Sequence, residues 1–137
     1  NIGEWSVDVQ EIFPEARFDH FEALAGRFED IDDNLMTSRL RDGALHPVAL
    51  SDRNGEGDIK TLDVGGQGSS IIVHPADRKR EDMRVVPCQL ARMDDYVAQN
   101  GLRQPDFIKL DTQASELKVL KGAEYTIENT KFILAET

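Results

Sequence analysis

The sequence predicts an α/β domain: a mostly parallel sheet with helices on both faces and a small β insertion. Three observations predict it. Segments with helical periodicity alternate with short apolar runs, a glycine-rich stretch interrupts that alternation once, and the chain then closes on a β-α-β run between residues 107 and 136. At 137 residues the chain is one domain's worth of material, and residues 1–137 are read as a single domain.

The elements follow in order. Trp5, Val9, Ile12 and Phe13 lie on one helical face over residues 4–13, and Pro14 ends the helix. Residues 16–22 read as a short strand ending at or near Glu22. Leu24, Phe28, Ile31 and Leu35 repeat as a second amphipathic helix, with Glu29, Asp30, Asp32 and Asp33 on its solvated outer face. Residues 44–50 form the next strand, and Asn54-Gly55 supplies the positive φ angles of a tight reversal.

The β insertion comes next. Residues 58–64 and 70–73 are expected to pair around Gly65 to Ser69, and residues 84–90 add a third extended piece. No helix follows these glycines, so they suit a hairpin loop and not a phosphate cradle. Leu90, Met93, Tyr96 and Val97 mark a short helix closed by Asn100-Gly101. Residues 107–110 form an apolar strand, Leu117, Leu120, Ala123 and Ile127 the buried face of a helix, and residues 131–136 one more strand.

Composition excludes several function classes. Twenty-six acidic against 16 basic residues give a formal net charge of −10, which repels nucleic-acid phosphates and anionic lipid heads. No apolar run reaches the ~18 residues of a membrane span. Cys88, the single cysteine, cannot form an internal disulfide and suits a buried structural thiol; the expected location is cytoplasmic. His20, His46 and His74 fall in separate segments without zinc-site spacing, so no metal is expected.

In an open parallel sheet the ligand lies beyond the carboxyl ends of the strands. Three segments there carry suitable chemistry. Asn1 and Gly3 precede a helix, where glycine permits close backbone approach, although a glycine before a helix is more often plain turn geometry. Glu22 falls 19 residues after Gly3, near the spacing at which an acid accepts hydrogen bonds from both hydroxyls of a ribose; its competing reading is a solvated side chain. Asp111, with Gln113 and Glu116, follows the strand at 107–110, where a carboxylate could position an acceptor, take its proton or orient a cofactor amine. Its competing reading is a helix cap.

Taken together, Asn1 to Ser6, Phe13-Pro14, Phe21-Glu22, Ala49 to Asp52, Gly68-Ser69-Ser70, Met93 to Tyr96, and above all residues 106–113 and 116–123 resemble the FkbM methyltransferase family in order and spacing. The resemblance covers nearly the whole chain. It implies a Rossmann-like class I fold and transfer of a methyl group from S-adenosylmethionine to a hydroxyl oxygen of a small molecule or glycan. It also implies that Asn1 and Gly3 grip the methionine end of the cofactor and Glu22 the ribose. Ser51 and Asp52 would then lie near the adenine, Asp111 at the transfer centre, and Gln113 and Glu116 on the substrate side.

Three departures accompany it. The family's first strand would precede Asn1 and its closing strands would follow Thr137, so the domain is expected to be incomplete at both ends. The family's Pro after Glu22 is Ala23, and its Gly after Gln113 is Ala114, which that position accommodates if φ is negative. An NAD(P)-dependent oxidoreductase and a non-catalytic nucleotide-binding domain are the alternatives. The former would need a Tyr-Lys pair or a similar hydride-transfer site, and neither Tyr96 nor Tyr125 stands in such a setting.

Overall fold

The structure, a computed structural model, describes residues 4–24, 43–61 and 84–136. It divides into two compact units, Asn1–Val48 and Ala49–Thr137. The expected helix at 24–35, beyond Leu24 itself, and the expected strand at 70–73 lie outside the described residues, as do Asn1 and Gly3.

In the first unit, helix α1 (Glu4–Ile12) forms where the periodicity predicts it, but its buried face is turned. Ser6 and Gln10 are buried while Ile12 and Phe13 are exposed. The reason is the helix end: the Gln10 amide donates to the carbonyls of Phe13, Pro14 and Ala16 at 3.1, 2.7 and 3.4 Å, taking up acceptors that have no intrahelical donor. Strands β1 (Asp19–Phe21) and β2 (Ala44–His46) pair in parallel with Phe21 opposite His46. The pair is pinned by a 2.8 Å contact between His46 Nε2 and Asp19 Oδ1 and by stacking of the Phe21 and His46 rings, 4.7 Å between centroids.

The expected strand at 44–50 is broken. Pro47 lacks an N–H for a ladder, so β2 ends at His46, and β3 (Ala49–Leu50) belongs to the second unit. There β3 pairs in parallel with β5 (Arg84–Ala91), whose other edge pairs antiparallel with β4 (Gly55–Thr61). The reversal at Asn54-Gly55 therefore makes no hairpin, because β5 lies between the strands that it connects. Gly55 has φ +125°, but Asn54 is not in the positive-φ region. Its side chain accepts from Arg92 N–H at 2.8 Å and donates to Asp95 at 2.6 Å instead.

Helix α2 (Met93–Asn100) ends at Gly101, whose φ of 62° and N–H bonds to the last carbonyls make the expected cap. Strands β6 (Phe107–Leu110) and β7 (Phe132–Ala135) pair in parallel. The single helix expected between them is two, α3 (Glu116–Lys121) and α4 (Glu124–Glu128). The break shifts the helical phase: Leu117 is exposed, while Val119, Ala123 and Thr126 are buried. Gly122 sits at the break because a Cβ there would lie 1.9 Å from the Ser51 carbonyl oxygen. Met93, Ile108, Leu110, Val119 and Ala123 form the core, with Leu50, Val97, Leu120 and Ile127 packed against it.

Among the described residues parallel pairing is thus present at β1-β2, β3-β5 and β6-β7, and these pairs run in three small sheets where a single sheet is expected. Among the described residues each short strand has its hydrogen-bonded neighbours within its own group, and β7 is exposed along its whole length rather than covered on both faces.

Helix α4 depends on a residue distant in sequence. Its N-cap, Ala123, offers no side-chain acceptor. Asp94 of α2 supplies one: Oδ1 accepts from Thr126 N at 2.8 Å and Thr126 Oγ1 at 2.7 Å, and Oδ2 from Tyr125 N at 3.1 Å. Burial opposes ionisation of Asp94, but these bonds and the Arg92 charge outweigh it and hold its pKa below the ordinary value. Asp94→Ala should cost about 1–3 kcal/mol of stability, read from urea unfolding, because a half-buried charged acceptor of several hydrogen bonds is lost. The depressed folded-state pKa makes this contribution complete above the ordinary carboxylate range and lost as pH falls through the folded value. An unshifted unfolding midpoint in Asp94→Ala would show that the cap carries no stability.

The loop after β6 generates a second expectation. Gln113 and Ala114 have φ of 51° and 73°, so the negative φ that would suit Ala114 is not adopted. A left-handed non-glycine residue costs roughly 1–2 kcal/mol, and glycine returns about 0.5–1 kcal/mol of that through its freer unfolded chain. Ala114→Gly should therefore stabilise the protein by roughly 0.5–1 kcal/mol; a lowered melting temperature would contradict the assigned backbone conformation.

Candidate functional site

Parallel pairing places the residues that follow two paired strands side by side. In the second unit, the ladder continues past β7 with Glu136 N–H donating to the Leu110 carbonyl at 2.9 Å, so Asp111 and Glu136 leave the sheet together. Lys109 lies on β6 two residues before Asp111, and alternation along the strand puts both side chains on one face. Its ammonium is 3.0 Å from Asp111 Oδ2 and 4.0 Å from Glu136 Oε2. Gln113 Nε2 donates to the other oxygen, Asp111 Oδ1, at 3.3 Å.

Asp111 is consequently a held anion. Burial raises its pKa, but hydrogen bonding to Lys109 and the lysine charge, together with hydrogen bonds involving Glu136 and Gln113, outweigh burial and leave the pKa below the ordinary carboxylate value. The helix-cap account of Asp111 does not hold, since its side chain turns back to Lys109 and Gln113. Glu116 does the local work instead: Oε1 accepts from Thr112 N at 2.9 Å and Thr112 Oγ1 at 3.0 Å. Ser115 Oγ donates to the Thr112 carbonyl at 2.6 Å, closing the loop. The three residues expected here, Asp111, Gln113 and Glu116, are thus brought together, with Glu116 engaged with the loop.

Ser51 and Asp52 follow β3, again at a carboxyl end. Ser51 Oγ donates to Asp52 Oδ1 at 3.2 Å, yet Ser51 is 1% exposed and packs against Gly122. Of the two, Asp52 is the one with accessible surface.

In the first unit, Glu22 stands immediately after β1. Its N–H donates to the His46 carbonyl at 3.0 Å and its Oε1 accepts from Leu24 N–H at 2.9 Å, so the side chain is folded over the strand end and half-buried. His20, two residues earlier, is buried enough that its pKa is lowered, against the raising effect of Asp19 and with the aid of His46. The ladder thus brings His20 and His46 into one unit, although the sequence spaces them apart. Among the described residues no group of three His, Cys, Asp or Glu side chains could hold a metal ion, and no helix is long and apolar enough to cross a membrane. Cys88 is half-buried, and burial followed by the Asp58 charge raises its pKa, which favours the neutral thiol.

Sequence reasoning missed Lys109, Thr112 and the proximity of Glu136 to Asp111. One signal was available: a lysine inside an otherwise apolar four-residue strand, with a side chain 19% exposed, requires a partner.

The chain matches the FkbM methyltransferase domain over residues 1–137. It is 32% identical over 106 residues to the 2-O-methyltransferase NoeI of Sinorhizobium fredii (strain NBRC 101917 / NGR234), an alignment covering 67% of this chain and 42% of the relative. The chain therefore spans less than half the length of that curated relative. No solved structure matches it. On the match over residues 1–137, the chain belongs to the FkbM methyltransferase family.

Proposed function

We propose that the chain belongs to a Rossmann-like, S-adenosylmethionine-dependent O-methyltransferase domain in the cytoplasm, acting on a hydroxyl of a small molecule or sugar. The observation that carries the reading is Asp111, an ionised carboxylate fixed at the carboxyl end of a parallel strand in a chain of methyltransferase family. The printed name of the 2-O-methyltransferase relative supports oxygen as the acceptor atom. Family membership supports methyl transfer over the oxidoreductase alternative.

The residues fit the cofactor by charge. S-adenosylmethionine, when bound, would supply an electrophilic methyl group carried on a sulfonium cation. Carboxylates stabilise such a cation better than neutral groups do. In this reading Glu22 accepts hydrogen bonds from the ribose hydroxyls, Asn1 and Gly3 hold the methionine end, and Asp52, held by Ser51, faces the adenine. Asp111 accepts the hydrogen bond of the acceptor hydroxyl and so orients its oxygen lone pair.

A carboxylate with a depressed pKa is a weak base, so Asp111 draws the hydroxyl proton only as C–O bond formation makes that proton acidic. The proton then passes to water. Gln113 borders the acceptor, and Glu116 contributes through Thr112 by holding the loop.

Calorimetry on the full-length protein tests the reading: S-adenosylmethionine should bind and NAD(H) should not, and absence of S-adenosylmethionine binding would overturn it. A screen with labelled methyl donor against sugars and other hydroxyl compounds identifies the acceptor. Glu22→Ala should weaken S-adenosylmethionine binding by ~1.5–3 kcal/mol, about tenfold or more in Kd. Unchanged affinity in the folded variant removes Glu22 from the site. Asp111→Asn should retain cofactor affinity while turnover on the acceptor found by the screen falls by ~10²-fold or more. Wild-type turnover would move the chemistry to another residue.

A further inference from the structure

A lysine within an apolar strand is an expensive choice. Taking an ammonium out of water is repaid only by close partners, and an apolar side chain at the same place would serve the strand as well or better. Lys109 has Ile108 and Leu110 on either side of it in β6, and both are buried. Its own side chain is largely withdrawn from solvent, and its ammonium meets Asp111 and Glu136, the first residues beyond β6 and β7. It thus ties together the two carboxyl ends of the parallel pair.

We propose that Lys109 is a positioning residue of the methyl-transfer site, one whose ammonium fixes the Asp111 carboxylate against Glu136 so that Asp111 meets the acceptor in one orientation. This rests on the role given to Asp111 above. The downstream side of Asp111 is held independently: Gln113 binds Oδ1, and Thr112 is locked by Glu116 and Ser115. With Oδ2 taken by Lys109, the carboxylate has little rotational freedom left. The division of labour follows from charge. Lys109 sets its ammonium beside Asp111 and within 4.0 Å of Glu136, and an opposite charge that close favours the ionised Asp111 carboxylate.

The charged groups around Asp111 are Lys109 on β6, Glu136 after β7, and Glu116 on α3 behind Thr112. Among the described residues, removing the lysine charge leaves carboxylates around Asp111. The Asp111 midpoint should then rise.

The test follows the Asp111 carboxyl carbon by ¹³C NMR against pH in the full-length protein. In Lys109→Met the midpoint should rise by about one pH unit or more relative to wild type, the scale expected when an opposite charge at this distance is removed. Lys109→Arg should restore most of the wild-type value. If Lys109→Met fails to fold, Lys109→Gln, which keeps a donor without the charge, gives the same comparison. An Asp111 midpoint unmoved in either folded neutral variant overturns the proposal, as does failure of arginine to rescue. Calorimetry with S-adenosylmethionine on the same variants separates the two ideas. Loss of binding in wild type itself defeats the methyltransferase reading and leaves the titration result intact. A tenfold or greater loss confined to the Lys109 variants, with the midpoint unmoved, would make Lys109 a cofactor ligand instead.

Discussion

The second unit is organised around the Asp94 carboxylate. Two short helices with no side-chain caps of their own meet where Asp94 sits in the first turn of α2. Its N–H donates to the Gly122 carbonyl at 3.1 Å, and its carboxylate receives the opening N–H groups of α4. Arg92 closes the arrangement from the other side, donating to the carbonyls of Asp52 and Lys121 at 3.3 Å each. This polar knot brings the turn after β3, the start of α2 and the α3-α4 break together over the core of Met93, Ile108, Leu110, Val119 and Ala123. Helices of six and five residues are too short to be stable alone, so their position depends on such tertiary partners.

The same knot bears on the loops that matter for function. Gly122 must lack a side chain for the chain to pass against Ser51, and that contact seats Asp52 at the carboxyl end of β3. The core beneath β6 in turn fixes the strand from which Lys109 and Asp111 emerge. Stability and site geometry therefore share residues, and the Met93-Asp94-Asp95-Tyr96 segment serves mainly as scaffold: Met93 fills the core, Asp94 caps α4, and Asp95 receives Asn54.

Backbone strain is concentrated next to Asp111. Gln113 and Ala114 are the only non-glycine residues with positive φ among those described, and both lie in the loop closed by Glu116 and Ser115. Strained conformations persist where surrounding contacts over-determine them. Here the side-chain bonds to Thr112 and Asp111 do so, and they hold a shape for which alanine is a poor choice.

Local chemistry was legible in the sequence wherever a signal needed no distant partner. Helix α1, the Gly101 cap, the short apolar strand β6 and the positions of Glu22 and Asp111 at strand ends all follow from periodicity, capping and turn preference along a few residues. Pro47 also marked the break between β2 and β3, although the 44–50 run was read through it. The tertiary structure alone decided which strands pair, because hydrogen-bond partners are chosen by the whole chain: β5 inserted between β3 and β4, and the described strands form three small sheets where one is expected. It alone turned α1 to bury Gln10, split the last helix at Gly122, and set Lys109 between Asp111 and Glu136. Spacing along the chain carries the identity of each of these groups. Their contact depends on parallel register, which no local pattern encodes.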